Sequence, residues 1–216
     1  GKVVDSPGFD ESPAACAERV WRANGCNLAA NGAVMRTAAC GFPCFWDAAH
    51  VEHTAVEMCC VTHFDRRCVA SCVCVSLLLA GLLQGLQPGE AEKQAVGAAA
   101  KHLEDAKHAE EFQWYVSAER TLDDLQLDEP HSIGYTFKAL SCGLITLRSP
   151  GSFEEVICDV VSRGGDADTN AVVCGALIGA ARGADAVPAK WIAEMPYIRW
   201  LEAWATHALA ASGCHG

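Results

Sequence analysis

The stretch Cys68–Leu83 is sixteen residues of apolar and small side chains without a charge. If helical, such a run has no polar face to turn to water and must be buried all round. It falls short of the ~20 residues a membrane span needs. It therefore predicts a core helix within about Arg66–Leu86, broken by Gln87-Pro88-Gly89, around which the rest of the chain must wrap. The wrapping segments also read as helices. Ser12-Pro13 opens one that runs to about Ala23, with Pro in the first turn. Asn24–Gly41 is irregular, with Asn24-Gly25 and Asn31-Gly32 as turn signals. Asp47 caps a helix whose Val51, Ala55, Met58 and Thr62 recur at helical spacing. Glu90–Arg120, charged and Ala-rich, reads as a solvated helix or helix pair. Ile133, Phe137, Leu140, Leu144 and Leu147 mark an amphipathic helix. Ser152 and Glu155 form a capping box ahead of Val156, Ile157, Val160 and Val161. A helix over Asn170–Arg182 carries Gly175, Gly179 and Gly183 at four-residue spacing, which permits close helix packing. Pro188–Ala210 is a last helical region rich in Trp (Trp191, Trp200, Trp204). With no alternating strand pattern and no internal repeat, the class is all-α, in one domain over residues 1–216.

The formal charge of -11 and the lack of a basic run argue against nucleic acid and membrane surfaces as partners. Thirteen cysteines cannot all pair within one chain. Cys59, Cys60, Cys68, Cys72, Cys74, Cys158 and Cys174 lie in apolar helix-like runs, where thiols serve as small hydrophobes. With no apolar leader at the N-terminus, the expectation is a reduced, cytoplasmic protein. Cys40, Cys44, His50 and His53 have a first gap that suits zinc, but the Cys-to-His gap is short for a finger-type site. No phosphate-cradling GxxxxGK[ST] or GxGxxG pattern occurs.

Chemistry concentrates in Gly164-Gly165-Asp166-Ala167-Asp168-Thr169-Asn170. Two carboxylates, a hydroxyl and an amide are hard oxygen donors where a helix begins, a set suited to Mg²⁺, Mn²⁺ or Ca²⁺ and not to Zn²⁺. The preceding glycines permit positive φ and close backbone approach to a ligand. One alternative is capping: Asp168 or Thr169 as N-cap, with Asp166 complementing the helix dipole. Another is an EF-hand loop, but Ala171 and Leu177 stand where that loop requires Gly and Glu.

Four segments in order carry a resemblance. Asn31-Gly32-Ala33-Val34-Met35-Arg36, Val61-Thr62-His63-Phe64-Asp65 with the helix after it, Ser132-Ile133-Gly134-Tyr135, and the Gly164–Gly183 stretch followed by Val187-Pro188-Ala189-Lys190-Trp191 together resemble the ADP-ribosylglycohydrolase family over about residues 16–191. The resemblance implies a compact orthogonal bundle of helices and a Mg²⁺-dependent hydrolase of ADP-ribosyl linkages. Such an enzyme removes ADP-ribose from a modified protein side chain or a small molecule. It implies Asp166, Asp168 and Thr169 as metal ligands, with Asp166 and Asp168 serving catalysis. Asn31, Gly32 and Ala33 would contact the diphosphate or ribose, and His63 the nucleotide region. Gly134 and Tyr135 would line the adenosine side, Tyr135 by stacking, and Gly164, Gly165 and Asn170 would complete the substrate contacts.

The family pattern also has an N-terminal third with a Thr-Asp-Asp-Thr motif that supplies the other half of a two-Mg²⁺ site. No match to it occurs here; Thr121-Leu122-Asp123-Asp124 is out of order and lies in a polar segment. The expectation is an N-terminally truncated fold retaining one Mg²⁺ or none. The core helix would then lack neighbours, and a homo-oligomer or a complementing chain would supply them. The alternative to catalysis is a non-catalytic ADP-ribose or nucleotide binder, or a subunit completed by another chain.

Overall fold

The computed structural model describes residues 3–212. Among these the architecture is helical, with one isolated antiparallel bridge, Ala30 to Tyr135. In chain order the helices are α1 (Pro13–Ala23), α2 (Val34–Thr37), α3 (Ala48–Cys60), α4 (Arg66–Leu83), α5 (Pro88–Ala100), α6 (Ala106–Val116), α7 (Thr136–Arg148), α8 (Phe153–Ser162), α9 (Ala167–Arg182), α10 (Ala189–Glu194) and α11 (Ile198–Ala211). Short 3₁₀ turns follow α2 (Ala38–Gly41) and α9 (Ala184–Ala186).

The uncharged run becomes α4, the axis of the bundle. Fifteen of its 18 residues are buried. By length and composition it could cross a membrane, but most of it is enclosed by the rest of the fold. Its buried hydroxyls are satisfied internally: Ser71 Oγ donates to the Arg67 carbonyl and Ser76 Oγ to that of Thr37. This overturns the expectation that the core helix lacks neighbours. Helices α3, α5, α7 and α9 and the 3₁₀ turn after α2 cover it. Small residues make the coverage possible. A Cβ on Gly41 would stand 2.3 Å from the Ser76 carbonyl oxygen, and one on Gly81 would stand 3.0 Å from the Ala91 Cβ.

The main core joins α4 to α3, α5, α6, α7 and α9; a second, smaller one packs Leu122, Leu125 and Leu127 against α7, α8 and α9. Helices α7 and α9 approach most closely at Gly143, where a Cβ would lie 2.9 Å from Val173 and Leu177 side chains. The glycines of α9 do something else. Gly175 and Gly179 accommodate the Phe153 ring at ordinary contact distance, and Gly183, at φ 81°, ends the helix. The capping box on Ser152 and Glu155 is fully formed, and Asp47 and Asp65 cap α3 and α4.

The twelve cysteines among the described residues are all free thiols. Cys59, Cys68, Cys72, Cys74 and Cys174 are buried as the apolar pattern predicts, whereas Cys158 is exposed on α8. The last helical region is two helices. Pro196 interrupts it and Tyr197 takes a left-handed φ of 61°, so α11 leaves at a new angle.

Candidate functional site

Two irregular segments meet at the N-terminal end of α9. The Thr136 N–H donates to the Ala29 carbonyl at 3.0 Å, and the Asn31 N–H to the Gly134 carbonyl at 2.9 Å. This short bridge holds the Asn31-Gly32 turn beside Gly134. Asn31 is 6% exposed, and its Nδ2 donates to Asp166 Oδ2 at 2.6 Å across 135 residues of sequence. A Cβ on Gly134 would lie 3.6 Å from Asn31 Oδ1 and 3.8 Å from Asp166 Oδ2, so Gly134 forms the floor beneath this contact.

Asp166 occupies the N-cap position of α9, yet its side chain makes no capping hydrogen bond. Its carboxylate is aimed at Asn31, so capping does not account for it. Asp168 Oδ1 accepts from the Thr169 N–H at 2.8 Å. The Asp168 carboxyl is held below its usual range, first by a hydrogen bond shared with Asp166 and then by that N–H. Two carboxylates thus lie within reach of one another, and neither has a basic partner among the described residues. The Thr169 hydroxyl donates to Met35 Sδ at 3.5 Å, a weak acceptor that a better one would displace. Asn170, 1% exposed, leaves both amide atoms without a hydrogen-bond partner.

The close approach that the glycines permit is to the chain's own backbone. Gly164 and Gly165 both have φ 69°, and a Cβ on Gly165 would fall 2.0 Å from the Leu127 carbonyl oxygen. Gly165 thereby seats the segment before α9 against the acidic connector, a structural need for glycine that stands beside the expected ligand contact.

His63 stands on the other side of the Asn31-Gly32 turn. A Cβ on Gly32 would lie 3.3 Å from His63 Nε2. Arg36 Nη2 donates to Thr62 Oγ1 at 2.8 Å, and that oxygen lies 2.8 Å from His63 Nδ1. The three groups are satisfied when the Thr62 hydroxyl donates to Nδ1, which leaves the ring proton on Nε2, toward Gly32. Burial first, and then the Arg36 charge, lowers the His63 pKa and favours the neutral ring.

Ala33 is fully buried in the main core and presents no side chain to a ligand. Tyr135 is packed edge-on against Tyr115 and Phe137, with the Arg67 guanidinium 5.8 Å from its ring centroid. Those neighbours take up the ring expected to stack on adenine; its hydroxyl is buried without a hydrogen bond, in the field of Arg67 and Glu111. Cavities of about 760 Å³, beside Asn27, Arg67 and Tyr115, and about 230 Å³, beside Ala30, Thr62 and His63, flank the turn. Neither includes Asp166 or Asp168, which stand at the open surface between the segments.

The ADP-ribosylglycohydrolase profile matches residues 6–215. This chain belongs to the ADP-ribosylglycohydrolase family. A solved structure of an ADP-ribosylglycohydrolase-related protein complex is similar in fold, with a TM-score of 0.59 and 23% identity. The match covers 96% of this chain and 75% of that one. No curated protein matches. ADP-ribosylglycohydrolases are hydrolases of ADP-ribosyl linkages, and the all-α class expected from the sequence is the fold observed.

Within that family fold, Asn31, Gly134, Asp166, Asp168, Thr169 and Asn170 gather at one end of α9, and Gly32 connects them to His63. Sequence reasoning missed two supports. Met35 is the partner of Thr169, and Arg36 holds Thr62 against His63. Both stand in the Asn31–Arg36 motif, which was the available signal. The donor set is hard oxygen, as Mg²⁺ requires, but no group of three or more His, Cys, Asp or Glu gathers among the described residues. Such a set fits a hydrated divalent ion with most of its ligands water, and does not form a closed cage for two.

Proposed function

We propose that this chain hydrolyses ADP-ribosyl linkages with a single Mg²⁺ held by Asp166, Asp168 and Thr169. The observation that carries this reading is the 2.6 Å hydrogen bond from Asn31 to Asp166. It spends a nearly buried amide on orienting a carboxylate that its own helix does not use. When bound, a Mg²⁺ ion supplies electrostatic stabilisation of developing negative charge and acidifies a coordinated water. Asn31 keeps Asp166 turned out of the capping position. The Thr169 hydroxyl gives its proton to Met35 Sδ, which leaves its oxygen lone pairs to face the ion. The Gly32 backbone and the Nε2–H of neutral His63 present donors to an anionic group, which suits the diphosphate of ADP-ribose. The unpartnered amide of Asn170 and the hydroxyl of Tyr135 are further polar groups for the ribose or adenosine side. No basic side chain among the described residues pairs with the carboxylates, so an added cation displaces no internal ion pair.

A second reading, a binding module without catalysis, is favoured by the absence of a third acidic or imidazole ligand among the described residues. Titration calorimetry with ADP-ribose, with and without Mg²⁺, separates the readings when paired with a hydrolysis assay. Catalysis expects Mg²⁺-dependent binding that Asp166→Ala/Asp168→Ala abolishes, together with release of ADP-ribose from a modified peptide. Binding without release selects the module. No binding under any condition sinks both. In either reading the chain is expected to work in the cytoplasm, where its thiols stay reduced.

A further inference from the structure

Helix α11 has no buried residue and contributes to neither core cluster. Its one side-chain hydrogen bond beyond the terminal turn is internal, from Thr206 to the Glu202 carbonyl. A lone helix of this length is marginal in water, because nucleation is costly and nothing is gained from packing. Its composition is nonetheless apolar. Tyr197, at the N-cap, is 83% exposed, and Trp200 and Trp204 are 61% and 57% exposed. With Leu201 and Ala208 they fall at i, i+3, i+4, i+7 and i+11, which places them on one stripe. Arg199, Glu202 and Thr206 fall on the opposite side, so the stripe carries no charge.

We infer that α11 is a self-association surface, and that its occupant is α11 of a second copy of this chain, packed antiparallel about a two-fold axis. Three features select a second copy. The stripe is uncharged, so it offers no electrostatic complement to a charged partner and incurs no repulsion against itself despite a net charge of -11. A two-fold axis sets the same patch against itself, and the stripe of large rings flanked by Ala205, Ala208 and Ala211 offers both the projecting and the receiving shapes. At ~150–250 Å² for a whole aromatic side chain, the exposed parts of Tyr197, Trp200 and Trp204 come to ~300–500 Å² per copy, or ~600–1,000 Å² across the pair, the size of a weak, concentration-dependent interface.

The test is sedimentation velocity of the full chain from low to high micromolar concentration, beside Trp200→Asp/Trp204→Asp. The wild type is expected to pass from 22.9 kDa to twice that mass as concentration rises. The double variant is expected to stay monomeric, with an unchanged urea midpoint at low concentration because neither ring belongs to a core cluster. A wild type that stays monomeric throughout overturns the proposal, as does a variant that still dimerises. A monomer from which Trp200→Asp/Trp204→Asp removes blue-shifted emission, the other four tryptophans unchanged, overturns it in favour of α11 folding back onto its own body. A monomer that binds uncharged phosphatidylcholine vesicles overturns it in favour of a lipid surface.

Discussion

At the scale of single residues, a residue kept out of the chemistry supports the elements that carry it. Asp65 is 2% exposed and accepts hydrogen bonds from the Arg67 side chain and N–H, Trp21 Nε1 and the Leu28 N–H. It thereby ties α1 and the loop leading to Asn31 onto the start of α4. Burial pushes its carboxyl up, but the Arg67 hydrogen bonds and charge, with the Trp21 bond, outweigh that and hold it below the ordinary range. Asp65→Ala leaves the Arg67 guanidinium buried without its counter-charge, and a loss of roughly 3–5 kcal/mol in urea unfolding is expected. Because the folded-state pKa is depressed, this stabilisation is complete above the unfolded carboxylate value of about 4 and is lost as pH falls through the lower folded value. The wild-type urea midpoint should therefore drop more steeply than that of Asp65→Ala below about pH 4. Parallel pH profiles would contradict the assignment. The Thr-His-x-Asp segment was visible in the sequence, but nothing local says that its acid points inward and its His toward the turn.

At the scale of elements, the neighbouring glycines before α9 separate conformational need from steric need. Both have φ 69°, so a side chain at either position is strained. Only Gly165 also faces a backbone atom, the Leu127 carbonyl; at Gly164 the nearest atom to an added Cβ is 4.0 Å away. Gly164→Ala is expected to cost about 1 kcal/mol, and Gly165→Ala roughly 3 kcal/mol or more, because a carbonyl cannot step aside as a flexible side chain can. Denaturant melts of the two variants check the order; equal losses would mean that strain alone is at work. The same distinction explains what could be read locally. The capping box of α8 was legible because Ser152 and Glu155 satisfy one another within a turn. The break at Pro196 was passed over within the Pro188–Ala210 region although the proline stood there, whereas the closest helix approach, at Gly143, depends on Val173 and Leu177 arriving from another helix.

At the scale of the whole molecule, charge and metal are linked. A net charge of -11 works against compaction, and Asp166 and Asp168, which lie together without a basic partner among the described residues, are part of it. A cation bound only by the folded state raises apparent stability by about 2.7 kcal/mol at a hundredfold excess over Kd. For a chain of this size that corresponds to a Tm rise of about 5 °C or more. The rise is expected with Mg²⁺, not with NaCl of equal ionic strength, and is expected to vanish in Asp166→Asn/Asp168→Asn. An equal rise in the double variant would point to general screening and count against the site.

Spacing and side-chain type alone were enough to show that the chain is helical, that Cys68–Leu83 lies at its centre, and that hard oxygen donors cluster between Gly164 and Asn170. Each of these follows from spacing or side-chain type over a few turns. Only the packing of the helices brings Asn31 to Asp166 and Gly165 to Leu127, encloses Tyr135 among other rings, and covers α4 while leaving α11 bare. Those are contacts between residues tens to more than a hundred positions apart, set by how the helices pack, and local periodicity carries no information about them.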